Sequence, residues 1–206
     1  KVSQADVMFT FITGIDGLRF LQQLGQYVPN RPPTLNPYGT LTMGSNLTQA
    51  GDAAVGLITN TYYTTATDNP ENKALIKAWT DKYPNRLLTV DVGQAYGCAQ
   101  AILQVLKSVN GNVEDKQGLL NAFYGLNAET AKGPIKLDAD HDVVQNTYIS
   151  EIVKSGSSYA DKLLTTYNDV ARTWDMTQPE IDAFPFGQMK GKWVGMTKDK
   201  LATLKK

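Results

Sequence analysis

The chain has 206 residues, with 20 basic and 20 acidic side chains and no formal net charge. Hydrophobic residues make up 42% and charged residues 19%, which excludes general disorder and leaves enough apolar material for a sizeable core. Zero net charge gives no long-range attraction to nucleic acid or an anionic membrane, and one cysteine and one histidine cannot build an internal disulfide or a zinc site of nitrogen and sulfur ligands.

Ala5 to Ile12 (ADVMFTFI) is short, apolar and aromatic and predicts a buried strand. Thr13-Gly14 breaks it, and Thr13 or Asp16 is placed to cap a helix whose apolar face carries Leu18, Leu21 and Leu24, with Phe20 and Val28 beside them. Pro29 stops that helix. Residues 29 to 51 mix Pro, Gly, Asn and Thr and predict a long ordered loop, with a brief strand or short helix near Ser45 to Ala50. Val55 to Tyr63 is β-branched and aromatic, a strand.

Asp68-Asn69-Pro70-Glu71 is a helix start: a capping side chain, Pro in the first turn, then an acid at the positive end of the dipole. Ala74, Leu75, Ala78, Trp79 and Tyr83 form the expected apolar face. A longer helix is expected from Val92 to Val109, with Ala95, Ala99, Ile102, Leu106 and Val109 on one stripe, and a third from Asp115 to Gly125 using Leu119, Leu120 and Phe123. Gly133 to Leu137 and Thr147 to Val153 are strands, separated by a polar turn, Asp138 to Asp142. Ser155 to Ser158 is linker-like, Ala160 to Thr173 is expected to be helical, and Thr177-Gln178-Pro179-Glu180 has a capping-box pattern.

Little in this order carries catalytic chemistry. Asp138 to Asp142 opens like a calcium loop, but its sixth position is Val143 rather than Gly and its twelfth is Ile149 rather than Glu. Gly187 to Lys192 is one residue short of a phosphate loop, and Trp193 stands where Ser or Thr is needed. His141 has no nucleophile beside it in sequence, and Cys98 sits on a helix of small neighbours as an expected buried, inert thiol. No metal site, cofactor or catalytic residue is expected. The aromatics Phe9, Phe11, Tyr38, Tyr62 and Tyr63 fall at strand ends and in the long loop, where open αβ sheets bind ligands, and suggest an aromatic-lined cleft.

Several stretches, in order, resemble the C-terminal part of type I periplasmic solute-binding proteins, the branched-chain amino acid-binding family that serves ABC importers. ADVMFTFITGIDGLRFLQQL resembles that family's strand, ligand loop and helix. GDAAVGLITNTYY resembles its inter-lobe strand, and NPENKALIKAWTDKYPN its acidic-capped helix. AYGCAQAILQVLK resembles its "AYDA" helix, and GPIKLDADHD its "G-x-I-x-F-D-x-x-G-D" strand and turn. The resemblance covers about residues 5 to 153.

It implies two doubly wound α/β lobes joined by crossover strands, with the N-terminal part of the fold missing from this sequence. Residues 1–58 would belong to the C-terminal lobe, 59–63 to a crossover strand and 64–145 to the N-terminal lobe. Residues 146–206 would cross back and form a C-terminal extension. It further implies a non-enzymatic, extracytoplasmic (periplasmic) binding component that closes on a small organic ligand. Expected partners are that ligand, the importer's permease and ATPase subunits, and the missing N-terminal portion; nucleic acid is not one. A ligand sensor or regulatory receptor on the same fold is the alternative, with an enzyme on an αβ scaffold a more remote one. The chain opens on Lys1 without a signal-peptide pattern and is expected to be a processed product or a piece of a longer protein.

Carried over residue by residue, the resemblance places ligand contacts at Thr10, Phe11, Thr13, Gly14 and Tyr38. Tyr38, in Asn36-Pro37-Tyr38-Gly39, falls where amino-acid binders carry a Glu that pairs with the ligand ammonium. A phenol cannot compensate a buried ammonium. The ligand class expected is therefore amino-acid-like, or an aromatic or aliphatic carboxylate or amide, with the free amino acid disfavoured.

Overall fold

The computed structural model describes residues 5–173, together with Thr177 and Pro179. Of the capping-box sequence at 177–180 only Thr177 and Pro179 are among the described residues, and the Gly187–Lys192 segment lies outside them.

The chain opens with strand β1 (Met8–Phe9), helix α1 (Gly14–Tyr27) and strand β2 (Thr34–Pro37). Short 3-10 turns at Thr40–Thr42 and Gly51–Ala54 flank helix α2 (Asn46–Ala50). The loop expected over 29 to 51 is thus ordered and carries both a strand and a helix. Strand β3 (Leu57–Thr61) follows, then α3 (Pro70–Lys82), α4 (Val90–Ser108) and α5 (Lys116–Tyr124). Strands β4 (Asn127–Thr130), β5 (Gly133–Leu137), β6 (Val143–Ser155) and β7 (Ser158–Val170) complete the described fold.

All seven strands form one sheet in the order β1-β2-β3-β6-β5-β4, with β7 also on β6. β1, β2 and β3 are parallel; the remaining pairs are antiparallel. β6 is the shared element: it meets β5 over Val143–Gln145, β3 over Tyr148–Glu151, and β7 along its length.

One apolar cluster joins Leu18, Leu21 and Leu24 of α1 to Leu41, Ala54, Leu57 and Ile152. The predicted Leu stripe therefore forms the core of this part. Other clusters gather Tyr63, Leu75 and Ala131, and Ala101, Ala128 and Ile135. α3 starts as the sequence suggests: the Asn69 side chain accepts from the Asn72 N–H at 2.7 Å, and Pro70 is in the first turn.

Several expectations are corrected. Ala160 to Thr173 is not helical: β6 turns at Gly156 (φ +59°) and β7 runs back with Ser155 opposite Ser158. β1 is an edge strand in the described sheet rather than a buried one; Thr10 points inward, while Phe9 (68% exposed) and Phe11 (66%) point out. α4 does not bury Ala95, Ala99 and Ile102 but the small residues Gly93, Gly97, Ala101 and Val105. Spaced every four residues, these let the helix backbone approach its neighbours. A Cβ at Gly93 would collide with the Tyr63 ring, and one at Gly97 would lie 2.5 Å from Lys132 Cγ. Cys98, next to Gly97, is turned outward and exposed, against the expected buried thiol. On α3, Ala74 and Ala78 are exposed, and Asn72 and Leu75 are the buried pair.

Candidate functional site

Parallel β1, β2 and β3 end side by side, which puts the residues that follow them on one edge of the sheet. After β1, Thr10 is buried; its N–H and its hydroxyl both donate to the Leu35 carbonyl at 3.0 Å, tying it to β2. Phe11 stands in the exposed loop beyond. Thr13 is the N-cap of α1 without a side-chain capping bond, and Gly14 begins the helix at φ +62° with open space around it.

After β2 the chain turns sharply. Asn36, wholly buried, accepts from the Thr40 hydroxyl at 3.1 Å and the Leu41 N–H at 2.9 Å and so fixes the turn. This holds Tyr38 at φ +57°, a conformation uncommon for a bulky side chain. The Tyr38 N–H donates to Asn60 Oδ1 of β3 at 3.0 Å, and its hydroxyl donates to Gln94 Oε1 of α4 at 3.0 Å. A second bond across the same junction runs from the Gly44 N–H to Asp91 Oδ2 at 3.2 Å. The Tyr38 ring meets Tyr62 edge to face, with centroids 5.8 Å apart.

Tyr62 also meets Lys132, in the turn between β4 and β5, whose Nζ lies 5.9 Å from the ring centroid. Lys132 is only 4% exposed and its stem crosses α4 at Gly97. Burial pulls its ammonium below the usual lysine range, partly offset by the neighbouring Cys98. Among the described residues no carboxylate pairs with it.

An open cleft of about 530 Å³ borders the same strand ends, lined by Asn60, Tyr62, Gln145, Thr147 and the ion-paired Asp142 and Arg172. In it Gln145 Oε1 is buried without a hydrogen-bond partner among the described residues. Another cavity, of about 730 Å³, lies around Gln22, Arg31 and Gln49, away from these residues.

Of the residues expected to touch ligand, Thr10, Phe11, Thr13 and Gly14 cluster after β1, and Tyr38 stands after neighbouring β2. The expected aromatic group divides: Tyr38 and Tyr62 meet, Phe9 and Phe11 face outward, and Tyr63 is fully buried with its hydroxyl donating to Asn72 Oδ1 at 2.8 Å. Asn60, Gln94, Gln145 and Lys132 were not anticipated. They carry no spacing signal and meet only through the tertiary fold. The polar turn at Asp138 is a turn as expected, with Asp138 Oδ1 accepting from the N–H groups of Asp140 and Asp142. Among the described residues no cluster of His, Cys, Asp and Glu is suited to hold a metal, and no helix is long and apolar enough to cross a membrane.

A mixed α/β sheet with polar and aromatic side chains gathered at its parallel strand ends is the architecture of a ligand-binding protein. The chain belongs to the periplasmic binding protein family, whose model matches residues 1–157. The Leu/Ile/Val-binding protein homolog 6 of Brucella abortus (strain 2308) is 27% identical over 133 residues, 63% of this chain and 34% of that protein. An ABC transporter substrate-binding protein from Sphaerobacter thermophilus superposes with a TM-score of 0.73 at 26% identity, over 81% of this chain and 46% of that one. A solute-binding protein of an ABC transporter from Rhodopseudomonas palustris, in complex with 3,4-dihydroxybenzoic acid, superposes at 0.69 and 26% identity, over 80% and 46%. The fold is thus the type I periplasmic-binding fold, and the chain spans less than half the length of these proteins.

Proposed function

We propose that this chain is part of the solute-binding component of an ABC importer, a protein that binds a small organic molecule outside the cytoplasm and catalyses no reaction. The observation that carries this reading is the Tyr38–Gln94 hydrogen bond, which links the ends of the parallel strands to α4 in a chain of the periplasmic binding family. Residues 1–58 act as part of one lobe and 64–145 as part of the other, with 59–63 and the chain after 146 crossing between them. The separate apolar clusters around Leu21 and around Tyr63 and Ala101 support that division. Ligand contacts come from Thr10, Phe11, Thr13, Gly14 and Tyr38, with the rest of the cleft supplied by the N-terminal portion of the same protein.

The ligand is an aromatic or aliphatic carboxylate or amide rather than a free amino acid. Tyr38 offers a ring edge and a hydroxyl but no charge for an ammonium, and the 3,4-dihydroxybenzoic acid complex of the Rhodopseudomonas relative supports an aromatic acid. Binding to both lobes favours the closed state, which the permease and its ATPase would read. A thermal-shift and calorimetric screen of the full-length protein against carboxylates, their amides and amino acids tests this. Saturable stabilisation by a member of the first two groups is expected, and no response to any compound would refute the reading.

A further inference from the structure

We propose that the Lys132 ammonium is the anchor for the carboxylate of the bound solute. The proposal rests on the solute-binding reading and names the charged partner of that site.

A lysine at 4% exposure has given up most of its hydration. Taking an ammonium out of water costs several kcal/mol unless a counter-charge or hydrogen bonds replace the lost solvent. Here the ammonium has the Tyr62 ring and the neighbouring Cys98 sulfur, and no carboxylate among the described residues pairs with it. A ring contact of this kind recovers roughly 2 kcal/mol when desolvated, so the cation is left undercompensated. Its lowered proton affinity has the same cause.

The position is also fixed. The stem lies across α4 where Gly97 has no Cβ, so the ammonium is held by packing and little rotamer freedom remains to be lost on binding. Tyr62, which touches it, also touches Tyr38 and lines the open cleft. An undercompensated, preorganised cation against the Tyr62 ring, directly behind a cleft that Tyr62 and the neutral amide of Asn60 line, suits a singly charged carboxylate on an apolar or aromatic body. A phosphate dianion is better met by several donors or an arginine fork, and the Arg172 guanidinium of this cleft is already engaged by Asp142 and Asp140.

The test is calorimetric titration of the full-length protein with matched pairs: benzoate and benzamide, 3,4-dihydroxybenzoate and its amide, hexanoate and hexanamide. The wild type is expected to bind at least one acid about a hundredfold tighter than its amide, the scale of a buried charge pair. Lys132→Met keeps the length of the stem and is expected to abolish that preference while amide affinity stays within about threefold. Lys132→Arg is expected to restore much of the preference. Equal wild-type affinity for acid and amide, or unchanged acid affinity in Lys132→Met, would overturn the role of Lys132 and leave the solute-binding reading standing. Equal wild-type affinity overturns the role even where Lys132→Met does not fold, and Lys132→Arg, which keeps the charge, then supplies the folded variant: an unchanged acid-to-amide ratio on replacing the ammonium by the broader guanidinium would also count against it. Binding of no compound, amino acids included, would overturn both.

Discussion

The Tyr38 hydroxyl lies 3.0 Å from Gln94 Oε1, and the bond joins segments 56 residues apart in the chain. Tyr38 reaches that position because Asn36 fixes the turn after β2 and Asn60 accepts its backbone N–H. If the bond helps hold the two parts closed, Tyr38→Phe and Gln94→Ala should each weaken solute affinity by roughly fivefold, the worth of about 1 kcal/mol for a neutral hydrogen bond. The double variant should lose no more than either single one. Additive losses, measured by calorimetry, would mean that the two residues act separately.

Phe11 is 66% exposed in the loop after β1, so it contributes little to the core. Phe11→Ala should leave the thermal midpoint within about 2 °C, the span expected for a surface change of roughly 0.5 kcal/mol, while weakening ligand binding. A large loss of stability with unchanged affinity would place the ring in packing rather than in the site.

Gly93 shows how closely α4 approaches its neighbours. Alanine in an exposed helix interior would gain about 1 kcal/mol over glycine. Here its Cβ would strike the fully buried Tyr63 ring. Gly93→Ala should therefore destabilise the protein by about 1–3 kcal/mol, the cost of overpacking a core. Denaturant unfolding decides it, since a gain in stability would show that Tyr63 yields freely.

Asp161 of β7 accepts from the Thr64 hydroxyl at 2.9 Å, and burial raises its carboxyl above the usual range despite that bond. A raised carboxyl favours the folded state only while it is protonated. That contribution is complete below the ordinary carboxylate pKa and is lost as pH rises through the elevated folded value. Burial, and secondarily the Asp161 charge, also raises the adjacent Tyr63 phenol. Asp161→Asn keeps an acceptor for Thr64 and removes the charge. It should raise the thermal midpoint near neutral pH and bring no gain in acid, where the wild-type carboxyl is already neutral. A midpoint lowered near neutral pH would show that the carboxylate stabilises the fold.

The sequence made one kind of element legible and hid another. α1 announced itself because large residues, Leu18, Leu21 and Leu24, mark its buried face. On α4 the apolar periodicity points to the wrong face, because the side that packs is built of Gly93, Gly97 and Ala101, where a small or missing side chain is what permits contact. β7 reads as a helix because Leu163-Leu164 interrupts the alternation of a strand, and pairing with β6 imposes the extended form. In the site, Tyr38 was visible as a departure from a familiar loop. Lys132 was not, because its meaning lies in being buried against Tyr62 and Gly97, residues far from it in the chain.

The most direct test of the account is calorimetric titration of the full-length protein and its Tyr38→Ala variant with the acid that responds best in the screen. The account predicts saturable one-to-one binding to the wild type and a loss of at least about tenfold in the variant, as expected for a central aromatic contact, with the variant still folded by circular dichroism. Equal affinity in both proteins would contradict the placement of the site at the ends of β1, β2 and β3.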